Sequence, residues 1–577
     1  MGDTSIGNKI VVAVDFGTTY SGVAWASANN PERHHVINQW PQSPSTSIGG
    51  MTSEKVPTEV AFEYGESGPT CLWGFQIYDS MPRIQWIKLG FAADQKLGLA
   101  SRLSSKYHDC RRVPEPYHSS CEDVATDYLR CLHMHITETL KSKMGSSFDG
   151  MGLEFVLTVP AMWPDKAKVT TLRCAEHAGF GENGTIRLIS EPEAAAIHAL
   201  SVSNPHGLDV GDTVVLCDAG GGTVDLITFS IVEREPNLRL KEEASGDGSL
   251  CGSTFLNRRF ENFLESRLSS IPGWGRDTLD EAMQRFEMVI KRTFCGDVTQ
   301  DSMIPVPGIA DDSAIHVHRG RLRVSGQEMA DLFKPILEEV HHLVDNQVKT
   351  SKKRVKAIFL VGGLGQSPYL RRYLRDALPQ YMEVLAPVDG WTAVVRGALV
   401  KSLGEISPLA TKASVESRVA RKHYGMISQT KYESDIHDRK KRYWSDFYGH
   451  YRIQVMKWFI RKGDEIKEAE PIVTFWSEHR LCSDGRFDSI CVNIYELDTP
   501  VEEAPPFYFN RRIKKHAVLN PDLDAIERAR IPVRLGHDRE KYYKIHYQIQ
   551  ATYFSAHCEY TLWYEGKNHG SVRVDYA

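Results

Sequence analysis

The sequence contains no apolar run that approaches the roughly 18 residues of a membrane span. Its first ten residues have no apolar signal core, and Ile6 stands where a myristoylation motif requires Ser or Thr. We therefore expect a cytoplasmic protein, with the nucleus as an additional compartment, and no membrane partner.

The sequence also lacks an excess of charge of one sign and the cysteine spacing of a zinc site. Its 69 basic and 74 acidic residues leave a net charge of -5, so nothing favours nucleic acid over neutral partners. The 11 cysteines are scattered without a CxxC pair, which is typical of reduced, mostly buried thiols. We expect neither a nucleic-acid partner nor a zinc site.

Two common nucleotide-binding fingerprints are missing as well. Residues 245–252, SGDGSLCG, miss the dinucleotide pattern G-x-G-x-x-G by one residue, and no G-x-x-x-x-G-K-[ST] loop occurs anywhere. The segment predicts a glycine-rich loop before a helix at 255–268. A nucleotide site in this chain must therefore be of another type.

The strongest positive signal is residues 214–231, VVLCDAGGGTVDLITFSI. Two apolar runs flank Asp218, three glycines, Thr223 and Asp225. This pattern predicts a β-hairpin with an open turn, because the three glycines have no side chains to crowd it. Backbone N–H groups in such a turn converge on an anion. Asp218 at the strand end suits the water shell of a magnesium ion, although an ordinary glycine-rich hairpin would share this pattern.

A second copy of the pattern occurs at residues 10–24, IVVAVDFGTTYSGVA. An apolar strand ends at Asp15, and Gly17, Thr18 and Thr19 precede a return strand. Two such hairpins predict two related lobes that face one nucleotide.

A third apolar strand, 358–361, ends in GGLGQSP before a helix. This arrangement lets a flat ring lie against the backbone, with helix N–H groups nearby, but a plain strand-to-helix turn would look the same. After Leu403 the chain becomes polar, and from residue 451 it contains short strands. In the strand at 543–551 apolar residues alternate with polar ones, as expected of a half-buried antiparallel strand.

The order of these elements resembles the ATPase domain of the seventy-kilodalton heat-shock proteins, in the superfamily that also contains actin and the sugar kinases. The resemblance covers residues 9 to 403. The segments that carry it occur in family order: VDFGTTYSGVA, FVLTVPAMWPDKAK, LISEPEAAAIHAL, VVLCDAGGGTVDL, GDGSLCGSTFLNRRF, IKRTF and FLVGGLGQSP. The resemblance implies an α/β, two-lobed, actin-like (ribonuclease H-like) ATPase fold with inserted subdomains, followed by a β-rich C-terminal domain.

The expected domain boundaries follow from this resemblance. We expect a nucleotide-binding domain at 1–405, with lobe I at 1–205 (insertion at 39–111) and lobe II at 206–405 (insertion at 241–320), then a polar connecting segment at 406–450 and a β-rich domain at 451–577. That last region resembles the one in divergent, fungal-type members of the family. No acidic, leucine-rich linker follows Leu403, and no long helical lid is evident.

The resemblance also implies ligands and residue roles. The cofactors would be ATP or ADP with Mg²⁺, accompanied by K⁺. Asp15 and Asp218 would hold the metal through water, Glu191, Asp218 and Asp225 would surround the attacking water, and Lys88 would lie beside the γ-phosphate. The remaining nucleotide contacts would fall on Gly17, Thr18, Thr19, Tyr20, Gly220, Gly221, Gly222, Thr223, Lys291, Arg292, Gly362, Gly363 and Gln366.

Around the adenine the chain departs from the family pattern. Cys295 and Gln366 stand in place of a serine and an arginine, Met288 replaces a glutamate, and Trp391 replaces an aspartate. The adenine contacts are therefore expected to differ from those of the family.

Three functions remain open at the level of sequence. The preferred one is an ATP-binding and ATP-hydrolysing chaperone of the stress response, whose nucleotide state controls a β-rich domain that binds protein clients or co-chaperones. The second is a nucleotide-binding scaffold with little or no hydrolysis, which the altered adenine side suggests. The third is a small-molecule kinase of the same fold, although the motifs reveal no carboxylate base for its substrate.

Overall fold

The computed structural model describes most of the chain. The described residues are 9–43, 52–65, 68–78, 81–92, 120–181, 186–202, 207–468, 470–483, 491–523 and 526–576. They fold into two compact units that divide after Ser414. Part of the insertion expected at 39–111 lies outside the described residues. Within the described ranges, no helix is both long and apolar enough to cross a membrane.

The first unit is a mixed α/β structure. Its described strands are β1 (Lys9–Asp15), β2 (Tyr20–Ser27), β3 (His35–Val36), β4 (Lys55–Pro57), β5 (Glu59–Gly65), β6 (Gly68–Trp73), β7 (Ile84–Gln85), β8 (Gly152–Val159), β9 (Ile186–Ser190), β10 (Thr213–Ala219), β11 (Val224–Glu233), β12 (Leu238–Ser249), β13 (Ser302–Pro305), β14 (Val317–His318), β15 (Arg321–Val324), β16 (Val355–Val361) and β17 (Glu383–Leu385). Its described helices are α1 (Cys121–Met144), α2 (Asp165–His177), α3 (Glu191–Val202), α4 (Ser253–Leu268), α5 (Arg276–Arg285), α6 (Gly326–Thr350), α7 (Pro368–Ala377) and α8 (Ala393–Ile406).

Two central sheets of this unit repeat one strand order. In the first sheet the order is β3-β2-β1-β8-β9, where β1 pairs antiparallel with β2 and parallel with β8. In the second, the order within this unit is β12-β11-β10-β16-β17, where β10 pairs antiparallel with β11 and parallel with β16. Strands β1 and β10 are therefore equivalent, and so are the hairpins that follow them. The prediction of two related lobes is confirmed.

Helices α3 and α8 connect the two lobes. Helix α3 follows β9 of the first lobe and contacts β10 and β11 of the second, whereas α8 follows the second lobe and packs on β1, β2 and α3. Glu193 Oε1 and Lys401 Nζ lie 2.7 Å apart in a buried ion pair between these helices. The lobes therefore share a common helical base beneath the cleft.

Helix α1 shows why local sequence pattern succeeds in this unit. A stripe with one apolar residue every four positions predicts a helix there, because such residues share one face. Val124, Tyr128, Leu132, Ile136 and Leu140, which form this stripe, are all fully buried in the structure. Burial of one continuous face fixes the helix against the first lobe.

Residues 245–252 correct one prediction, because they are not simply a glycine-rich loop. Strand β12 runs through Ser249, which lies opposite Val224 of β11, and α4 begins at Ser253. Pairing with β11 overrides the low strand propensity of Gly and Asp. The insertion of the second lobe, expected from residue 241, therefore begins after β12.

The second unit is β-rich, as expected. Its described strands are β18 (Ala413–Val419), which begins just before the division, β19 (His423–Lys431), β20 (Arg442–Ser445), β21 (His450–Ile460), β22 (Glu465–Lys467), β23 (Ile472–Leu481), β24 (Val492–Leu497), β25 (Lys514–Asn520), β26 (Val533–Leu535), β27 (Lys541–Tyr553), β28 (Cys558–Tyr564), β29 (Lys567–Ser571) and β30 (Arg573–Tyr576). The first three of these strands lie in the segment 406–450, which was expected to be a polar connection. The sequence did not predict these strands because they contain buried polar residues such as Ser417 and His423. A reading based on hydrophobicity expects such residues to be exposed.

Two sheets enclose the core of this unit. Their orders are β20-β21-β19-β24-β25-β30 and β23-β27-β28-β29, and β26 also pairs with β27. Ile494 and Leu519 of the first sheet belong to one buried cluster with Ile545, Tyr547 and Ile549 of the second. The alternation predicted along residues 543–551 is thus confirmed, with its apolar side facing this core.

Candidate nucleotide site

The two predicted hairpins face each other across the cleft of the first unit. A Cβ built on Gly221 would lie 2.1 Å from Oγ1 of Thr19, and one built on Gly222 would lie 2.7 Å from Oγ1 of Thr18. No side chain fits at these two glycine positions without separating the hairpins. Glycine is therefore required at these two positions by the contact between the lobes.

The start of α4 fixes the second hairpin from behind. The N–H groups of Ser253 and Thr254 donate to the carbonyl oxygens of Gly220 and Gly221 at 3.1 and 2.8 Å. A Cβ on Gly252 would lie 2.4 Å from the Gly221 oxygen. Gly252, the last glycine of SGDGSLCG, thus allows α4 to approach the turn of the second hairpin closely, a role that the sequence did not reveal.

A cavity of about 350 Å³ lies between the lobes. Every sequence-predicted site residue lines it except Asp225, which is buried beside it and opposite Asp218 in the pairing of β10 with β11. Residues that the sequence did not single out also line it: Glu54, Lys55, Ser253, Glu287, Leu364, Ser367, Val388 and Val394. Trp391, noted above only as a departure from the family, belongs to the same wall.

Lys88 and Glu191 form a buried ion pair at the end of the cavity beside the two hairpins, which is the end where phosphate groups are expected (the phosphate end). Lys88 lies in a single 3₁₀ turn, Ile87–Ala92, and its Nζ is 2.5 Å from Oε1 of Glu191. Burial raises the pKa of Glu191 to about 7, and the carboxylates of Asp15 and Asp225 add to this rise, while Lys88 opposes it. Glu191 can therefore exchange a proton near neutral pH.

The pKa of a second acid of the cluster, Asp218, is also raised. Burial raises its pKa well above the usual value, and Glu191, Asp225 and Asp15 raise it further, while Lys55 opposes the rise. So many acids in one buried place cost free energy unless positive charge lies among them. A cation bound among these acids would therefore lower the free-energy cost of their negative charges.

These acids fit a magnesium ion held through water. Among the described side chains, no three His, Cys, Asp or Glu residues are arranged to ligate a metal ion directly. Magnesium keeps several waters and is often bound by one or two carboxylates together with substrate phosphates. Asp218 is the carboxylate best placed for this role, because Asp15 is occupied by Lys55, whose Nζ lies 2.6 Å from its Oδ2.

The far end of the cavity is aromatic and basic. The rings of Tyr20 and Trp391 meet edge to face with centroids 5.8 Å apart, and the guanidinium of Arg292 lies 5.6 Å from the Trp391 ring. Gln366 lies in the same wall. A flat base could stack here on an indole, which the family pattern does not provide.

A π-helical turn, Phe286–Ile290, follows α5 and contributes an acid to the cavity wall. Glu287 lines the cavity and binds Lys291 Nζ, which is also 3.0 Å from Oδ1 of Asn257. Met288 stands where the family pattern has a glutamate, and the preceding residue, Glu287, is the acid of this turn that lines the cavity.

Gly362, the first residue after strand β16, lines the cavity. Its φ is +79°, and a Cβ there would lie 2.4 Å from Oδ1 of Asp218 and 2.5 Å from the oxygen of Ala219. The left-handed backbone and the close approach both require glycine. The predicted strand-to-helix turn is confirmed, with Gly363 and Gln366 in the same wall.

Comparison with known proteins connects this geometry to a family. A family model described as Hsp70 protein matches residues 122–406. A second model, a domain of unknown function named DUF8568, matches residues 418–492. The first match covers the first lobe from α1 onwards and the second lobe, and the second match covers part of the β-rich unit.

Relatives of known name are distant. The chain is 25% identical over 488 residues to Heat shock 70 kDa protein 12A of Homo sapiens, covering 68% of this chain and 69% of that protein. It is also 25% identical over 421 residues to Chaperone protein DnaK of Thermoplasma volcanium, covering 69% of this chain and 59% of that protein. Both relatives carry the names of heat-shock or chaperone proteins.

Proposed function

Since this chain belongs to the Hsp70 family through its actin-like ATPase domain, we propose that it binds ATP with Mg²⁺ between its lobes and hydrolyses it to ADP and phosphate. The observation that carries this proposal is the contact between two glycine–threonine hairpins, each at the end of the central strand of its lobe. Backbone N–H groups in such turns form concave sites for anions. Two facing turns can hold a polyphosphate from both sides.

The charged residues of the cavity have separable roles in this reaction. Bound Mg²⁺ would neutralise charge on the phosphates. Lys88 supports the γ-phosphate, and Asp218 and Asp225 orient the attacking water. Glu191 accepts a proton from that water as the bond from the γ-phosphorus to the ADP oxygen breaks, because its pKa of about 7 suits a base at neutral pH. Catalysis of this kind consists mainly of positioning and electrostatic stabilisation.

The β-rich unit serves in this proposal as an interaction domain for a protein client or co-chaperone. The names of the relatives support this role. A nucleotide-dependent change in hydrogen exchange within residues 415–577 would support coupling to the ATPase domain. Identical exchange with ATP, with ADP and without nucleotide would count against it.

A second function, a nucleotide-binding scaffold without turnover, is favoured by one observation. Trp391 and Gln366 replace the family's residues at the base end of the cavity, so binding and turnover need not be retained together. Loss of hydrolysis would leave a protein that senses nucleotide.

One experiment decides between these functions. ADP production is measured with purified protein, ATP and Mg²⁺, beside the Asp218→Asn variant and with a parallel binding titration. Turnover that falls in Asp218→Asn supports the ATPase. Binding with the same low turnover in both proteins supports the scaffold, and absence of binding in the unmodified protein would contradict both.

A further inference from the structure

The phosphate end of the cavity contains a second lysine, Lys55, to which the proposed reaction assigns no role. Lys55 lies on β4, which pairs with β2 so that Lys55 is opposite Gly22. A Cβ on Gly22 would lie 3.2 Å from Cγ and 3.3 Å from Cε of Lys55. The glycine thus leaves space for the lysine side chain to pass over β2 and into the cavity.

Lys55 is buried and forms an ion pair with Asp15, which also lines the cavity. It is 6% exposed, and its Nζ lies 2.6 Å from Oδ2 of Asp15, while the hydroxyl of Thr158 donates to Oδ1 of Asp15 at 3.1 Å. Both carboxylate oxygens of Asp15 therefore have protein partners. An ammonium group has three N–H donors, so two remain for other acceptors at the wall of the cavity that Lys55 lines.

The surrounding charges make this lysine important for a polyphosphate. Four carboxylates, those of Asp15, Glu191, Asp218 and Asp225, are buried at this end of the cavity, and each of the two lysines, Lys55 and Lys88, pairs with one of them. Removing Lys55 leaves one more uncompensated negative charge where phosphate oxygens must lie. Phosphate would then bind only with a cation from solution.

We propose that Lys55 is a built-in cation of the phosphate subsite, which neutralises Asp15 and donates to phosphate oxygens, so that nucleotide binding tolerates removal of Mg²⁺. This inference rests on the proposed binding of ATP and ADP in the same cavity. Turnover still requires Mg²⁺, whereas binding of ADP does not. Lys55 is thus a binding residue distinct from Lys88.

The test is a calorimetric titration of the full-length protein with ADP, once with excess Mg²⁺ and once with EDTA. A charge-assisted hydrogen bond contributes about 1.5–3 kcal/mol, so Lys55→Met should weaken binding in EDTA by about tenfold to 150-fold. Excess Mg²⁺ should restore most of this loss. Lys55→Arg, which keeps the charge, should bind in EDTA far better than Lys55→Met.

Two further variants keep the result interpretable. Lys9→Met removes a lysine from another ion pair on the same sheet, Lys9–Glu154 at 2.8 Å, and should bind like the unmodified protein under both conditions. If Lys55→Met fails to fold because Asp15 is left unpaired, the double variant Asp15→Asn/Lys55→Met removes both charges. It should fold and still bind more weakly than the unmodified protein in EDTA.

The outcomes separate this inference from the proposed function. Binding of ADP that needs Mg²⁺ in the unmodified protein, with the same dependence in Lys55→Met, would overturn the role of Lys55 and leave the ATPase proposal intact. No binding of ADP under either condition would overturn both. Binding in EDTA that Lys55→Met weakens at least tenfold and that Lys55→Arg largely retains is the expected result.

Discussion

Replacing Gly221 with alanine should weaken nucleotide binding more than it weakens the fold. The added methyl group would lie 2.1 Å from Oγ1 and 2.7 Å from Cγ2 of Thr19, whereas real Cβ contacts are essentially never under 3.0 Å. The two hairpins must therefore move apart. We expect the lobes to separate and relieve this contact when no nucleotide is bound, so that the strain falls mainly on the state in which both hairpins hold the same phosphates.

The magnitude follows from measured costs of overpacking, which are about 1–3 kcal/mol. If this cost appears only in the nucleotide-bound state, the dissociation constant of MgADP rises by about fivefold to 150-fold. Titration calorimetry measures this change, and thermal unfolding without nucleotide checks the fold. The matched control is Gly150→Ala, where an added Cβ meets nothing within 4 Å.

Equal affinities for the Gly221→Ala, Gly150→Ala and unmodified proteins would refute the contact between hairpins as the basis of binding. A loss of melting temperature in Gly221→Ala that is the same with and without nucleotide would also contradict the reasoning. In that case the strain would lie in the fold and not in the closed cleft.

Two further predictions concern the acid cluster and the second unit. Between its ordinary pKa of 4.5 and its folded value of about 7, Glu191 binds more protons in the folded state, so the free energy of unfolding falls by about 3 kcal/mol as the pH rises through this window. Glu191→Gln removes this titration. The melting temperature of the unmodified protein minus that of the variant should therefore decrease as the pH is raised from about 5 to about 8. A difference that does not change with pH would contradict the raised pKa. Ile549→Ala, at a position only 1% exposed, should destabilise the second unit by about 2–5 kcal/mol, measured by tryptophan fluorescence during denaturation, and an unchanged transition would show that this core was assigned wrongly.

The parts of the site that sequence could predict are those coded by short contiguous patterns. Asp15 with Gly17, and Asp218 with the glycines after it, indicate their turns locally because each strand end and its turn lie in one short contiguous run of residues. The apolar stripe of α1 could be predicted for the same reason, because it depends only on residues four positions apart in the sequence. Such features depend on neighbours a few positions away and not on the rest of the fold.

The parts that sequence could not predict depend on distant pairing. Lys55 reaches the cavity only because β4 pairs with β2 opposite Gly22, and no local signal in its segment indicates this. Glu287 lies in a π-helical turn that lines the cavity, and the sequence pattern did not indicate that turn. Strand β12 forms through residues of low strand propensity because β11 supplies its hydrogen bonds.

The most direct test of the central claim is hydrogen–deuterium exchange of the full-length protein with and without MgADP. If the nucleotide binds between the two hairpins, peptides that contain residues 16–22 and 219–224 should both be protected, together with the turn at 362–366. Protection of only one hairpin, or protection confined to other regions, would contradict a nucleotide site shared by the two lobes.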